Sequence, residues 1–150
     1  MDASGAGGLT AGLDERAAAA LRTAGLRVTR PRLAVHRALA QLGGHRTADE
    51  VTAALAGAGD ALPRTSVYNA LEALRAVGLV MQAGTGAGAA LYEVAARWHH
   101  HFVCRRCGEI ADVPCAIGAT PCLHPQLTGV DVDEAEVIYR GLCARCRDRR

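Results

Sequence analysis

Two Cys-x-x-Cys pairs, Cys104/Cys107 and Cys143/Cys146, are the residues best suited to chemistry in this chain. Each pair brings two sulfurs to one point through a tight turn, and four soft thiolates in a tetrahedral array favour zinc. The 35 residues between the pairs exceed the loop of a bare zinc knuckle, so a structural Zn2+ would close a small domain. The binding free energy of such a site, on the order of 10–16 kcal/mol in small peptides, becomes folding free energy. A redox dithiol is the competing chemistry.

Three imidazoles, His99, His100 and His101, run directly into the first pair. In an extended segment alternate side chains share a face, so His99 and His101 point together and His100 points away. Two imidazoles in H-x-H spacing make half a metal site, which a carboxylate such as Glu93 or Asp112 and a distant His45 would complete. Mixed nitrogen and oxygen ligands suit Fe2+, Mn2+ or Zn2+; the bland alternative is a solvated histidine cluster. His45 alone reads as an ordinary loop residue, and His36 and His124 read as structural. Cys115 and Cys122 each follow a proline and lie seven residues apart, too far for a Cys-x-x-Cys turn. They are either free buried thiols or a reversible thiol–disulfide pair.

Composition bounds what these groups serve. Half the 150 residues are hydrophobic but only 3% are aromatic, and all 17 basic residues are arginine, giving a net charge of +2. No apolar run approaches the roughly 20 residues of a membrane span, and no signal-peptide pattern opens the sequence, so a cytoplasmic protein without membrane attachment is expected. In a reducing compartment six cysteines suit metal binding better than a disulfide framework.

The elements that must position these residues follow from periodicity. Residues 1–12 are rich in Gly, Ala and Ser and read as a mobile tail. Asp14 and Glu15 sit at a helix start and Gly25 at its stop. Thr29 with Pro31 opens a second helix, carrying Val35, Ala38, Leu39 and Leu42 on one face. Thr47 to Glu50 matches a capping box ahead of a third helix. After Pro63 comes the most periodic helix, with Val67, Ala70, Leu71, Leu74 and Val77 as its apolar stripe. Its opposite face carries Thr65, Tyr68, Asn69 and Glu72, with Arg64 near the edge. Residues 79–82 and 91–94 read as strands around a glycine-rich tip. Helices followed by a two-stranded hairpin is the element order of a winged helix-turn-helix, whose last helix before the hairpin enters the DNA major groove. Residues 102–104, 109–113 and 137–142 read as strands of a second, small α/β domain, with a helix or irregular segment over 116–127. The fold expected is therefore α+β: a winged helix over 13–94, and a metal-binding domain over 95–150 with a sheet edge available for dimerisation. Up to Tyr92 nine Arg face seven acids, a weak footprint for one copy on DNA and a reason to expect a dimer; a helical bundle with a solvated polar face on the Tyr68 helix is the competing reading of the same elements. A zinc enzyme would need an open coordination position and a base motif such as H-E-x-x-H, which the chain lacks; no small-molecule substrate is expected.

GLRVTRPR, HRTADEV, TSVYNALEAL, LYEV, HHHFVCRRCG and CARC together resemble the ferric uptake regulator (Fur) family of metal- and peroxide-responsive repressors. The likeness runs from about Gly25 to Cys146. It implies a homodimer that binds double-stranded DNA at an inverted-repeat operator when metal is bound. It makes the helix with Tyr68 the reading helix, and Arg64 a groove or backbone contact. Position by position, it implies a regulatory site of His45, Glu93, His99, His101 and Asp112. Trp98 and His100 stand where some members have ligands of an accessory metal site, so that site is not expected. The segment IADVPCAIGATPCL with DEAEVIYRGLC most resembles the branch repressing catalase-peroxidase genes. That branch implies an oxidative-stress regulator and a redox role for Cys115 and Cys122; an iron- or zinc-uptake repressor is the alternative.

Overall fold

The computed structural model describes residues 5–83, 89–95, 98–118, 122–123, 127–132 and 135–149, with side chains from residue 12. It divides into two compact units, residues 1–95 and 96–150.

The first unit is built from α1 (Gly5–Thr23), α2 (Arg30–Leu42), β1 (Arg46–Thr47), α3 (Ala48–Gly57), α4 (Arg64–Ala76), β2 (Val80–Ala83) and β3 (Leu91–Val94). Helix α1 begins at Gly5, inside the stretch expected to be a tail. Its later turns are pinned by Ala17 and Leu21, both fully buried, and a nucleated helix propagates at one hydrogen bond per residue even through poor helix formers. Residues 1–4 lie outside the described residues. Helix α2 carries Pro31 in its first turn and ends at Gly43, whose φ of 61° suits glycine and whose N–H bonds Leu39 O. The Thr47–Glu50 capping box forms: Thr47 Oγ1 accepts from the Glu50 amide at 3.1 Å, and Glu50 Oε2 accepts from the Thr47 amide at 2.7 Å.

The expected stripe of α4 is buried at Val67, Ala70, Leu71 and Leu74, which pack with Val35 and Leu39 of α2 and Val51 and Leu55 of α3 into one core; Val77, expected to extend the stripe, is instead the C-cap and only half-buried. Strands β1, β3 and β2 form an antiparallel sheet in that order. The hairpin starts one residue later than its sequence suggests. Gly78 turns at φ 69° and the Leu79 amide bonds Leu74 O, so Leu79 closes the helix instead of opening the strand. The glycine-rich tip, residues 84–88, lies outside the described residues.

In the second unit β4 (His99–Cys104) is the centre of a sheet ordered β5-β4-β6, antiparallel to β5 (Ile110–Pro114) and parallel to β6 (Ile138–Gly141), and a short α5 (Ala144–Arg147) follows β6 in the chain. Strand β4 begins at the histidines, three residues before the predicted start. The register then sets His101 opposite Asp112. Over 116–127 the described residues form neither helix nor strand. Among the described residues the buried side chains of this unit are Val103, Cys104, Cys122, Cys146, His100 and His101. One aliphatic side chain is too little core for a unit of this size, and domains so small usually need a staple. Metal-ligating residue types occupy the place of the missing hydrophobes. No described helix is long and apolar enough to cross a membrane.

Candidate metal centres and nucleic-acid face

The two Cys-x-x-Cys turns bring Cys104, Cys107, Cys143 and Cys146 together, with all four sulfurs within 4.8 Å of one another. Cys104 ends β4, and Gly108, at φ 75°, lets the chain reverse so that its amide bonds Cys104 O at 3.0 Å. The Cys143 amide donates to Cys104 Sγ at 3.4 Å. A tetrahedron with metal–sulfur bonds of about 2.3 Å has edges of about 3.8 Å, and Cys107 Sγ lies 3.7 Å from Cys143 Sγ. The donor set and spacing therefore fit a four-coordinate thiophilic ion. Backbone amides from Cys143 and Cys107 draw the Cys104 thiol down to about 6. The Glu109 side chain pushes Cys143 up to about 12. Arg145 bonds Glu109 at 2.9 Å and Arg106 donates to Cys146 O at 3.1 Å, tying the two turns to each other.

The imidazole run behaves as strand alternation requires. His99 and His101 share a face, their ring centroids 4.8 Å apart and edge-on, and His99 Nε2 lies 3.6 Å from Asp112 Oδ1. His101 is fully buried, and its Nδ1 lies 3.3 Å from Glu136 Oε1. A carboxylate on one ring nitrogen fixes the tautomer and turns the other nitrogen toward a ligand. Sequence reasoning missed Glu136; the one clue is a carboxylate just before the strand that flanks β4.

His45 and Glu93 meet in the first unit. Strand β1 pairs Arg46 with Tyr92 in antiparallel register, and one step further that register sets His45 opposite Glu93, with His45 Nε2 3.3 Å from Glu93 Oε1. Glu93 is buried. A buried carboxylate against an imidazole is one half of a nitrogen–oxygen metal site.

His100 turns to the opposite side of β4, where its Nε2 lies 3.3 Å from Cys122 Sγ and the Val137 amide approaches its Nδ1 at 3.4 Å. Cys115 joins these two, with one donor atom from each residue within 4.8 Å of the others. Sequence reasoning paired Cys115 with Cys122 and left His100 out.

On α4, Arg64, Thr65, Tyr68 and Asn69 are all exposed on the face opposite the core. Arg64 stands over the Tyr68 ring, 5.6 Å from its centroid, and bonds Asp49 of α3 at 3.0 Å. This holds a guanidinium at the N-terminal turn of the helix.

A winged helix with an arginine-tipped, exposed helix face, followed by a unit cored by cysteine and histidine, defines a metal-responsive DNA-binding regulator. The chain belongs to the ferric uptake regulator family, whose model matches residues 23–121. It is 47% identical over 128 residues to the transcriptional regulator FurA of Mycobacterium bovis, covering 84% of this chain and 86% of that one. It is 29% identical over 136 residues to the peroxide-responsive repressor PerR of Staphylococcus aureus, covering 90% and 92%. Among solved structures, the ferric uptake regulator from Pseudomonas aeruginosa with manganese matches with a TM-score of 0.66 at 27% identity, covering 84% of this chain and 96% of that one. That of Helicobacter pylori shares the fold, with a TM-score of 0.67 at 19% identity over 92% and 93% of the two chains. The chain is thus a metal-dependent transcriptional regulator and not an enzyme.

Proposed function

We propose that the chain is a homodimeric repressor that occupies an inverted-repeat operator when metal-loaded and releases it under peroxide stress, controlling catalase-peroxidase expression. The observation that carries the metal dependence is the pair of incomplete ligand sets. The first unit offers His45 and Glu93, the second His99, His101 and Asp112. Two or three ligands are too few for Fe2+ or Mn2+, the ions that suit these donors, with Zn2+ as the alternative. In this reading all five residues serve one ion. The bound ion supplies a positive centre that favours one arrangement of the two units over others, and so one spacing of the two α4 helices in the dimer. Arg64, Thr65, Tyr68 and Asn69 then meet the groove and its phosphates. Cys104, Cys107, Cys143 and Cys146 hold a structural Zn2+ that keeps the second unit folded.

The likeness to a peroxide-responsive repressor and the clustering of Cys115 with Cys122 support the oxidative signal. One thiolate attacks the hydroperoxide O–O bond, forming a sulfenic acid and releasing alcohol, or water from hydrogen peroxide. The second thiol displaces water to give the disulfide, so two thiols are oxidised and one peroxide is reduced. Iron-uptake control is the second reading. It is favoured by 46% identity over 132 residues, 87% of this chain and 81% of that one, to ferric uptake regulation protein 1 of Mycolicibacterium fortuitum.

The test is fluorescence anisotropy on an inverted repeat from the DNA upstream of the protein's own gene, with Mn2+ or with chelator, before and after hydrogen peroxide. Metal-dependent binding that peroxide abolishes, with a Cys115–Cys122 disulfide in the mass map, supports the proposal. Metal-dependent binding indifferent to peroxide gives the iron-uptake reading. Binding that ignores metal overturns both.

A further inference from the structure

We infer a third metal site in the second unit, with a donor set unlike that of the accessory site that Trp98 and His100 argue against: His100, Cys115 and Cys122, suited to a thiophilic divalent cation of the zinc type. Among the described residues between β5 and β6, a connection running from residue 115 to 137 without helix or strand, Cys122 alone is buried. Ile117, Leu123, Leu127 and Val130 in the same stretch are exposed. A connection of this length without regular structure is uncommon in a compact domain unless something ties it down. Among its described residues no aliphatic side chain is fully buried. What does meet Cys122 is the His100 imidazole, itself 5% exposed and reached from the sheet side opposite His99 and His101.

The donors come from three separate stretches: the strand at the centre of the sheet, the residue just past β5, and the connection itself. One nitrogen and two sulfurs within 4.8 Å of one another are three arms of a tetrahedron, with the fourth left to water. Two thiolates and an imidazole select zinc over manganese or magnesium, which prefer oxygen. Trp98 stands edge-on to the His100 ring at 6.4 Å and restricts its rotation. The Val137 amide contacts His100 Nδ1 at 3.4 Å. A cation on Nε2 moves the ring proton to Nδ1 and costs that contact, which is long and therefore weak. The site shares no ligand with the regulatory set, so it stands whether or not that reading does. It does share its sulfurs with the proposed disulfide, which makes cation binding and disulfide formation mutually exclusive.

Cobalt(II) tests this in full-length reduced protein whose four-cysteine cluster has first been filled with Zn2+. The regulatory set contains no sulfur, so a sulfur-to-cobalt charge-transfer band in the near ultraviolet reports this site alone. The band is expected to saturate by two equivalents in the parent protein, the sulfur-free regulatory set taking the other ion, to weaken in Cys115→Ser, to disappear in the Cys115→Ser/Cys122→Ser double variant, and to persist in His99→Ala. His100→Ala should shift it and weaken binding. No band in the parent overturns the inference, as does an undiminished band in the double variant, which would mean cobalt had entered the four-cysteine cluster. Cys115 is only half-buried, so its single variant keeps the test valid if loss of Cys122 impairs folding; far-ultraviolet circular dichroism checks that.

Discussion

Replacing Glu136 by Ala removes the carboxylate that meets His101 Nδ1 at 3.3 Å while leaving all five proposed regulatory ligands in place. His101 is fully buried and the Glu136 side chain is 30% exposed, so the contact is shielded on one side and open to water on the other. Removing the partner that orients a ligating histidine typically costs 10–100-fold in metal affinity. A long, partly hydrated contact belongs at the lower end, about tenfold or ~1.4 kcal/mol. Operator binding followed by anisotropy while Mn2+ is titrated measures this directly: the midpoint should move about tenfold upward with the saturated affinity unchanged. Glu136→Gln, which keeps a carbonyl oxygen as acceptor, should move it less. An unmoved midpoint in Glu136→Ala would mean that His101 is not oriented this way for metal. Complete loss of the metal response would make Glu136 a ligand itself.

Cys104→Ser should unfold the second unit and release its zinc, read as lost dimer in sedimentation; a fully dimeric variant would rule out the structural site. Arg64→Ala should weaken operator binding and lower the salt dependence by about one ion per subunit, the signature of a lost phosphate contact. Burial holds His36 below its usual value of 6.5, against a smaller opposing effect of Asp14. Its neutral form therefore favours the fold above that pH, and this contribution is lost as the pH falls toward the lower folded value. His36→Leu should flatten the acid side of a urea-stability profile, and an unchanged acid limb would count against it.

Much of the fold was legible because its determinants are local. The Thr47–Glu50 box, the α4 stripe and the His99/His101 alternation each depend on residues a few positions apart, and each is found as read except that the stripe ends at Leu74, with Val77 capping the helix. The four cysteines were legible because a Cys-x-x-Cys turn carries its geometry with it. What was missed depends on partners far along the chain. Strand β1 is two residues long and exists only by pairing with β3. Glu136 reaches His101 across 35 positions, and Cys122 reaches His100 across 22, with no spacing rule to announce either. The early start of α1 reflects a packed turn downstream that outweighs glycine's poor helix propensity.

The most direct test of the account is Mn2+-dependent operator binding by His45→Ala compared with His99→Ala, one ligand removed from each unit. If a single ion draws on both units, each variant should remain dimeric with its structural zinc and each should lose the metal-induced gain in affinity. A His45→Ala protein that still gains full affinity with Mn2+ would contradict it.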